Sequence, residues 1–515
     1  MKFLPYILQL SNRARHIRFE ELKLPVRAFV LPMTTLTLFA FLIMVPITHI
    51  DAGGQSASSA SFTARDPGVR ANTVNAGQPF ANLAQTHGAT EFFTNGQGRF
   101  EEIEVVQGGT NNGLGPRFNT NQCSSCHAQP AVGGSSPSTT AYPFIGPNPE
   151  TLVANLDGAT NTLPSFITAA GPVREARFVN LLNSNGTVSS TADGGVHDLF
   201  TIQGRSDAAG CALAQPSFAE NVALGNVIFR IPTPVFGAGL IENISEQTVL
   251  SNMQANASQK SALGIAGHPN HNGNDGTISR FGWKAQNKSL EIFAGEAYNV
   301  EMGVTNELFP NERPSPDEEL ASGLPASCLF NPTPEDATNF EVSPLSDPSA
   351  QNAQVPSDVV QFAMFMRLLA PPTSSTSGIP GNPSAASIST GQQLFNRVGC
   401  NLCHTPTMTT GTSSFVPALN NATANLYSDL LVHDMGTNLA DGVSQGSAGP
   451  NEFRTAPLWG LGQRIFFLHD GRTTDLLNAI QQHSSSGSEA NGVITKFNGL
   501  TTAQQQDLLN FLRSL

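Results

Sequence analysis

The sequence predicts a mainly α protein built from two related halves joined by a soft linker. Three observations predict it. The pentapeptide Cys-x-x-Cys-His occurs twice, at Cys123–His127 and Cys400–His404. Each half closes on an apolar stretch at helical spacing, Asp358–Ala370 and Ala503–Leu515. A related segment follows each pentapeptide, with Trp283 in the first copy and His469 in the equivalent place of the second, each followed by Leu seven residues on.

The composition agrees with a globular chain of this kind. A length of 515 residues suits two to four domains. Gly (47) and Pro (35) together make about one residue in six, which is turn-rich, but 39% hydrophobic content with 32 Phe can bury a core. With 13% charged residues, a coiled coil, a collagen and a charged disordered chain are excluded. The formal charge of −13 argues against nucleic acid as a partner. Six Cys are too few for a disulfide-stapled scaffold.

Taken in order, residues 1–27 form a basic lead that carries Lys2, Arg13, Arg15, Arg18, Lys23 and Arg27. An uncharged run over 28–50 follows, and as a helix it would span about 34 Å, enough for a bilayer. Basic residues before it and Asp51 after it keep the N-terminus cytoplasmic and send the rest to the periplasmic side. Two readings stand: an inner-membrane anchor, or a signal segment cleaved near Ala57, Ser59 and Ala60 to leave a soluble protein. Because six of the basic residues lie in the lead, the exported part is the more acidic, and a docking partner is expected to be basic.

Residues 51–75, rich in Ser, Ala and Gly, read as a flexible tether. The first domain spans 76–370, a linker 371–386 (PPTSSTSGIPGNPSAA), and the second domain 387–515. Within them, Asn226–Ile231 reads as a strand, Ser389 and Thr390 open a short helix that runs into Cys400, and Thr502 caps the last helix.

Cys-x-x-Cys-His is the attachment pattern of c-type haem: two thiols add across the vinyl groups, and the adjacent His reaches the iron. A zinc site or a redox dithiol would also use paired Cys. Neither needs the trailing His twice, and c-type assembly requires the export that the N-terminus supplies. Cys123, Cys126 and His127, with Cys400, Cys403 and His404, are therefore the expected sites of two covalently bound c-type haems. Outside the cytoplasm Cys211 and Cys328 can form a disulfide; the other reading is two buried thiols.

With these motifs in hand, the chain resembles the bacterial di-haem cytochrome c peroxidases, and more closely their longer relatives, the di-haem oxidoreductases. The stretches that carry the likeness are GPRFNTNQCSSCH, GGVHDLFTIQGR, IPTPVFGAGLIENI, RFGWKAQNKSLEIF, YSDLLVHDMG, RTAPLWGLG and FFLHDGRTTDLLNAIQQH, and they cover most of residues 80–515. The resemblance implies two cytochrome c-like haem domains in tandem, with a long loop-rich insertion in the first.

It also implies roles. Trp283 matches the Trp that lies between the haems and assists electron transfer. Glu301, in Val300-Glu301-Met302-Gly303, matches the Glu over the peroxide-binding iron, where it acts as general acid/base. The second haem's axial Met is replaced by His483, which lowers its expected potential; Met435, His433 and Met408 are rivals. At the first haem the usual early His is missing, so either the iron is open or His197 closes it. Glu242 is a weaker alternative acid/base, and calcium is not supported by the residues around Arg464–Leu468.

The implied function is reduction of hydrogen peroxide at the first haem, with electrons delivered through the second by a small donor such as a cytochrome c or a cupredoxin. Two alternatives use the same motifs: oxidation or oxygenation of a protein or organic substrate, and non-catalytic electron transfer.

Overall fold

The computed structural model describes residues 63–71, 75–138, 146–313, 323–339, 356–412 and 416–515. The expected anchor or signal over 28–50, with the basic lead and most of the tether, lies outside the described residues. Among the described residues no helix is long and apolar enough to cross a membrane. Residues Ser61–Leu515 form one compact unit.

Helices dominate, as the sequence predicts, and the strands pair only two by two. The first half is built on α1 (Ala89–Phe100), the one-turn α2 (Cys123–Cys126), α3 (Leu290–Met302) and α4 (Asp358–Leu368). α1 buries Ala89, Phe93, Gly96 and Phe100, one helical stripe. That stripe lies against α4: Phe365 stands 5.4 Å from Phe93 and 5.1 Å from Phe100, ring centre to ring centre. Gly96 sits at the crossing, where a Cβ would come 2.3 Å from the Gln361 carbonyl oxygen. Phe362 of α4 meets Tyr298 of α3 edge-on at 5.0 Å.

The second half repeats this crossing with α5 (Ala385–Val398) and α7 (Thr502–Ser514), with α6 (Leu476–Gln482) between them in sequence. Gly391 of α5 lies where a Cβ would come 2.0 Å from the Asp507 carbonyl oxygen of α7. Each helix pair therefore meets backbone to backbone through a glycine.

Two helix starts differ from expectation. α5 begins at Ala385, capped by Ser384, whose Oγ accepts from the Ser387 N–H at 3.1 Å. Ser389 and Thr390 are thus inside the helix. α7 is capped by Thr501, not Thr502, because Thr501 and Gln504 complete a reciprocal capping box. Pro371–Ser384 is not a free spacer: Ser375 donates its N–H to the Ser514 carbonyl at 2.7 Å, and its own carbonyl accepts from Arg70 at 3.2 Å.

The insertion supplies β1 (Glu175–Phe178), which pairs antiparallel with β2 (Val227–Arg230), the strand expected in NVIFRI. A disulfide joins Cys211 of the insertion to Cys328. In the second half β3 (Val432–Asp434) pairs with β4 (Glu452–Arg454).

Candidate functional site: two cavities and a shared tryptophan

Each Cys-x-x-Cys-His motif opens onto its own cavity. The first is lined by Cys123, Cys126 and His127 and by Tyr298, Glu301 and Met302 of α3. The second is lined by Cys400, Cys403, His404, Met435 and His483. All four motif thiols are half-buried.

The motif histidines are prepared as ligands. His127 donates Nδ1–H to the Gly134 carbonyl at 3.0 Å, and His404 donates its own to the Tyr427 carbonyl at 3.0 Å. A carbonyl only accepts, so each ring is the tautomer whose Nε2 carries the lone pair. Burial holds both pKa values down, to about 4, so both rings are neutral. Beside His404, the proximity of His483 adds to the effect.

His483 is prepared in the same way. Its Nδ1–H donates to the Ala479 carbonyl at 2.8 Å, and burial lowers its pKa. Met435 lines the same cavity, whereas Met408 is buried in the core of the first half. His433 also lines it, but Asp429 at 2.9 Å holds Nε2 and Glu489 at 2.7 Å holds Nδ1. Burial alone would lower its pKa; the charges and hydrogen bonds of Asp429 and Cys403 together outweigh burial and keep the ring an imidazolium. A doubly protonated ring has no lone pair for a metal.

In the first cavity Glu301 stands near the C-terminal end of α3. The helix stops at Gly303, whose φ of +69° and tight approach to Gly115 and the Arg117 carbonyl leave no room for a side chain. Burial pushes the Glu301 carboxyl up to about 8, and the charge of Glu175 adds to this. Asn119 opposes it, donating Nδ2–H to the carboxylate at 2.7 Å. The same cavity is lined by Glu175 and Arg177 of β1, paired at 2.5 Å, and by Arg230 of β2.

His197 does not line this cavity. Its Nε2 meets Asp193 at 2.9 Å, and its ring stacks on Phe178 at 3.8 Å. Glu242 lies elsewhere too, paired with Arg367 at 2.6 Å and accepting the Leu290 N–H at the start of α3.

Trp283 lines both cavities. Its Nε1–H donates to the Ile231 carbonyl at 2.8 Å, and its own carbonyl accepts from the Arg454 N–H at 2.8 Å. The loop that holds it is closed by Phe281 and Asn287, which exchange backbone hydrogen bonds. Phe467 and Thr473 close the equivalent loop in the second half and hold His469 in the place of Trp283. The two rings meet edge-on at 6.4 Å. The repeat read in the sequence is therefore also a repeat of backbone.

Asn119, Glu175, Arg177 and Arg230 are site residues that the sequence did not single out. Glu175, Arg177 and Arg230 come from the insertion, and Asn119 stands inside GPRFNTNQCSSCH, four residues before Cys123.

Two cavities, each with paired thiols and a neutral His whose Nε2 is free to bind a metal, define a two-centre haem protein. The chain belongs to the di-haem oxidoreductase family: the family model described as "Di-haem oxidoreductase, putative peroxidase" matches residues 187–515. The matched span holds Trp283, Glu301 and the Cys400–His404 motif; the Cys123–His127 motif precedes it.

Among solved structures, the diheme peroxidase BthA from Burkholderia thailandensis E264 is similar at 14% identity, covering 46% of this chain and 65% of that chain, with a TM-score of 0.26. A MauG-like protein associated with microbial copper homeostasis is similar at 14% identity over 53% of this chain and 91% of that one, with a TM-score of 0.27. A hydrazine synthase chain of Kuenenia stuttgartiensis shares 18% identity over 32% of this chain and 56% of its own, with a TM-score of 0.20. The chain thus spans between about half and two thirds of the hydrazine synthase and BthA chains. No curated protein matches it.

Proposed function

We propose that the protein reduces hydrogen peroxide in the first cavity with electrons that enter through the second. The observation that carries this reading is the placement of Glu301 in the cavity of His127, with Trp283 shared by that cavity and the one of His404.

The residues fit covalent c-type haem. Cys123 and Cys126 would bind one group and Cys400 and Cys403 the other, with His127 and His404 as iron ligands. His483 would complete the second centre, with Met435 as its rival. Each haem, when bound, supplies the redox-active iron. The two domains read as tandem cytochrome c-like units on the periplasmic side, fed by a small basic redox protein.

The work of the chain's own residues follows from their chemistry. Reducing one peroxide to two waters consumes two protons and two electrons. A proton must also pass from one peroxide oxygen to the other. Glu301, with a pKa of about 8, can release and accept a proton near neutral pH. His127, neutral and with Nδ1 held by the Gly134 carbonyl, would hold the iron through Nε2. Trp283, fixed by its Ile231 hydrogen bond, offers an aromatic bridge between the centres.

A second reading, oxidation of an organic or protein substrate, is favoured by the polar wall of Glu175, Arg177 and Arg230 that the insertion adds. Peroxide-dependent oxidation of reduced cytochrome c by the purified haem-loaded protein separates the two. Turnover that disappears in Glu301→Gln supports peroxide reduction. Full turnover in that variant removes Glu301 from the mechanism, and a wild-type protein inert to peroxide removes the peroxidase reading.

A further inference from the structure

Among the described residues, two arginines on the wall of the second cavity make no ion pair. Arg454, at the end of β4, and Arg464 both line the second cavity and a smaller cleft of about 550 Å³ that reaches Trp283. Arg454 is partly engaged: its Nε–H donates to the Gly282 carbonyl at 3.0 Å, and Nη1 to its neighbour Thr455 at 3.4 Å. Arg464 uses only its backbone, donating N–H to the Leu461 carbonyl and accepting at its own carbonyl from Arg513. Among the described residues its guanidinium has no hydrogen bond and no ion pair.

Burial presses on both side chains, and at Arg454 the charge of Arg464 adds to it. The carboxylate nearest in effect to Arg454 is Asp429, which is already committed to His433. Two like charges on the wall of one cavity, screened from bulk water, are unfavourable unless an anion joins them. The anion that belongs in this cavity carries two carboxylates, since a haem has two propionates. A guanidinium meets a carboxylate with two parallel hydrogen bonds, a geometry that Lys cannot reproduce.

We infer that Arg454 and Arg464 form a carboxylate clamp for the propionates of the haem in the His404 cavity. This rests on the two-haem reading above. The clamp fixes which edge of the group faces Trp283, and it places positive charge beside it. Positive charge favours the reduced, more electron-rich state, so the clamp raises the potential of that centre.

The test uses the purified haem-loaded protein and three measurements: haem count by pyridine haemochrome, midpoint potentials by spectroelectrochemistry, and the propionate bending band by resonance Raman. The centre concerned is the one whose potential responds to His483→Met. Arg464→Met is expected to retain two haems, lower that potential and shift the bending band. Arg464→Lys, which keeps the charge but loses the fork, is expected to hold the potential closer to wild type and still shift the band. An Arg464→Met protein with two haems, unchanged potentials and an unchanged band overturns the clamp. Should Arg464→Met fail to fold, an unshifted band in Arg464→Lys overturns it. Fewer than two haems in the wild type would instead overturn the reading on which it rests.

Discussion

Asn119 and Glu301 are joined twice. The Asn119 N–H donates to the Glu301 carbonyl at 2.7 Å, and its Nδ2–H donates to the Glu301 carboxylate at 2.7 Å. The remaining amide atom, Oδ1, accepts the Leu199 N–H at 2.8 Å, which fixes the orientation of the amide. Asn119 is thus a positioning residue for the Glu301 carboxyl. It also ties the helix that carries Glu301 to the segment that leads into the first motif.

Asn119→Ala is expected to free the Glu301 carboxyl and to push its pKa further up, because the lost hydrogen bond is the one that lowers it. Peroxide turnover should fall by about 10–100-fold, and the alkaline limb of its pH profile should move to higher pH. A profile that keeps its shape while activity falls would mean that Asn119 serves folding alone.

Stability should decline as the solution is made alkaline. Burial raises Glu104 and Glu312 to about 8, and Glu335 and Asp358 to about 7. Between the ordinary carboxyl range and these values the folded protein holds protons that the unfolded chain has released, so stability falls as pH rises. The melting temperature is expected to be highest in mildly acidic buffer and to drop steadily up to about pH 8. Glu104→Gln, which stays neutral, should flatten part of this slope, by about 1.4 kcal/mol for each unit by which the folded pKa is raised. A flat melting curve from pH 5 to 8 would contradict the argument.

His483→Met should raise the midpoint potential of one haem and leave the other in place, since Met ligation favours the reduced iron. A redox titration identical to wild type would remove His483 from the metal and turn attention to Met435.

Gly391→Ala is expected to destabilise the protein by about 1–3 kcal/mol or more, because the new Cβ would lie 2.0 Å from the Asp507 carbonyl oxygen. Gly96→Ala should act alike at Gln361. Thermal melts of the two variants, compared with Gly98→Ala on the open side of the same helix as Gly96, measure the effect; equal melting points for all three would refute it.

The parts of this protein that use local chemistry were readable from the sequence. The two motifs, the repeated loop with Trp283 and His469, the closing helices and the NVIFRI strand each depend on a few neighbouring residues. What was not readable depends on distant contacts. Arg230 enters the first cavity because β2 pairs with β1, and it also meets Asp441 of the second half at 2.7 Å. Nothing near Arg230 in sequence announces either partner. His433 shows the same limit: only the fold brings Glu489 to its second nitrogen. The helix starts at Ala385 and Thr502 differ from expectation, by several residues and by one, because several nearby Ser and Thr can each cap, and the choice depends on which hydroxyl finds a free N–H.

The bond between Cys211 and Cys328 closes a ring of chain that contains both Trp283 and Glu301. A single protease cut anywhere inside that ring would leave one molecule rather than two. Its pieces would travel together on a denaturing gel until a reductant is added, and the helix bearing Glu301 would remain tethered to the body that holds it.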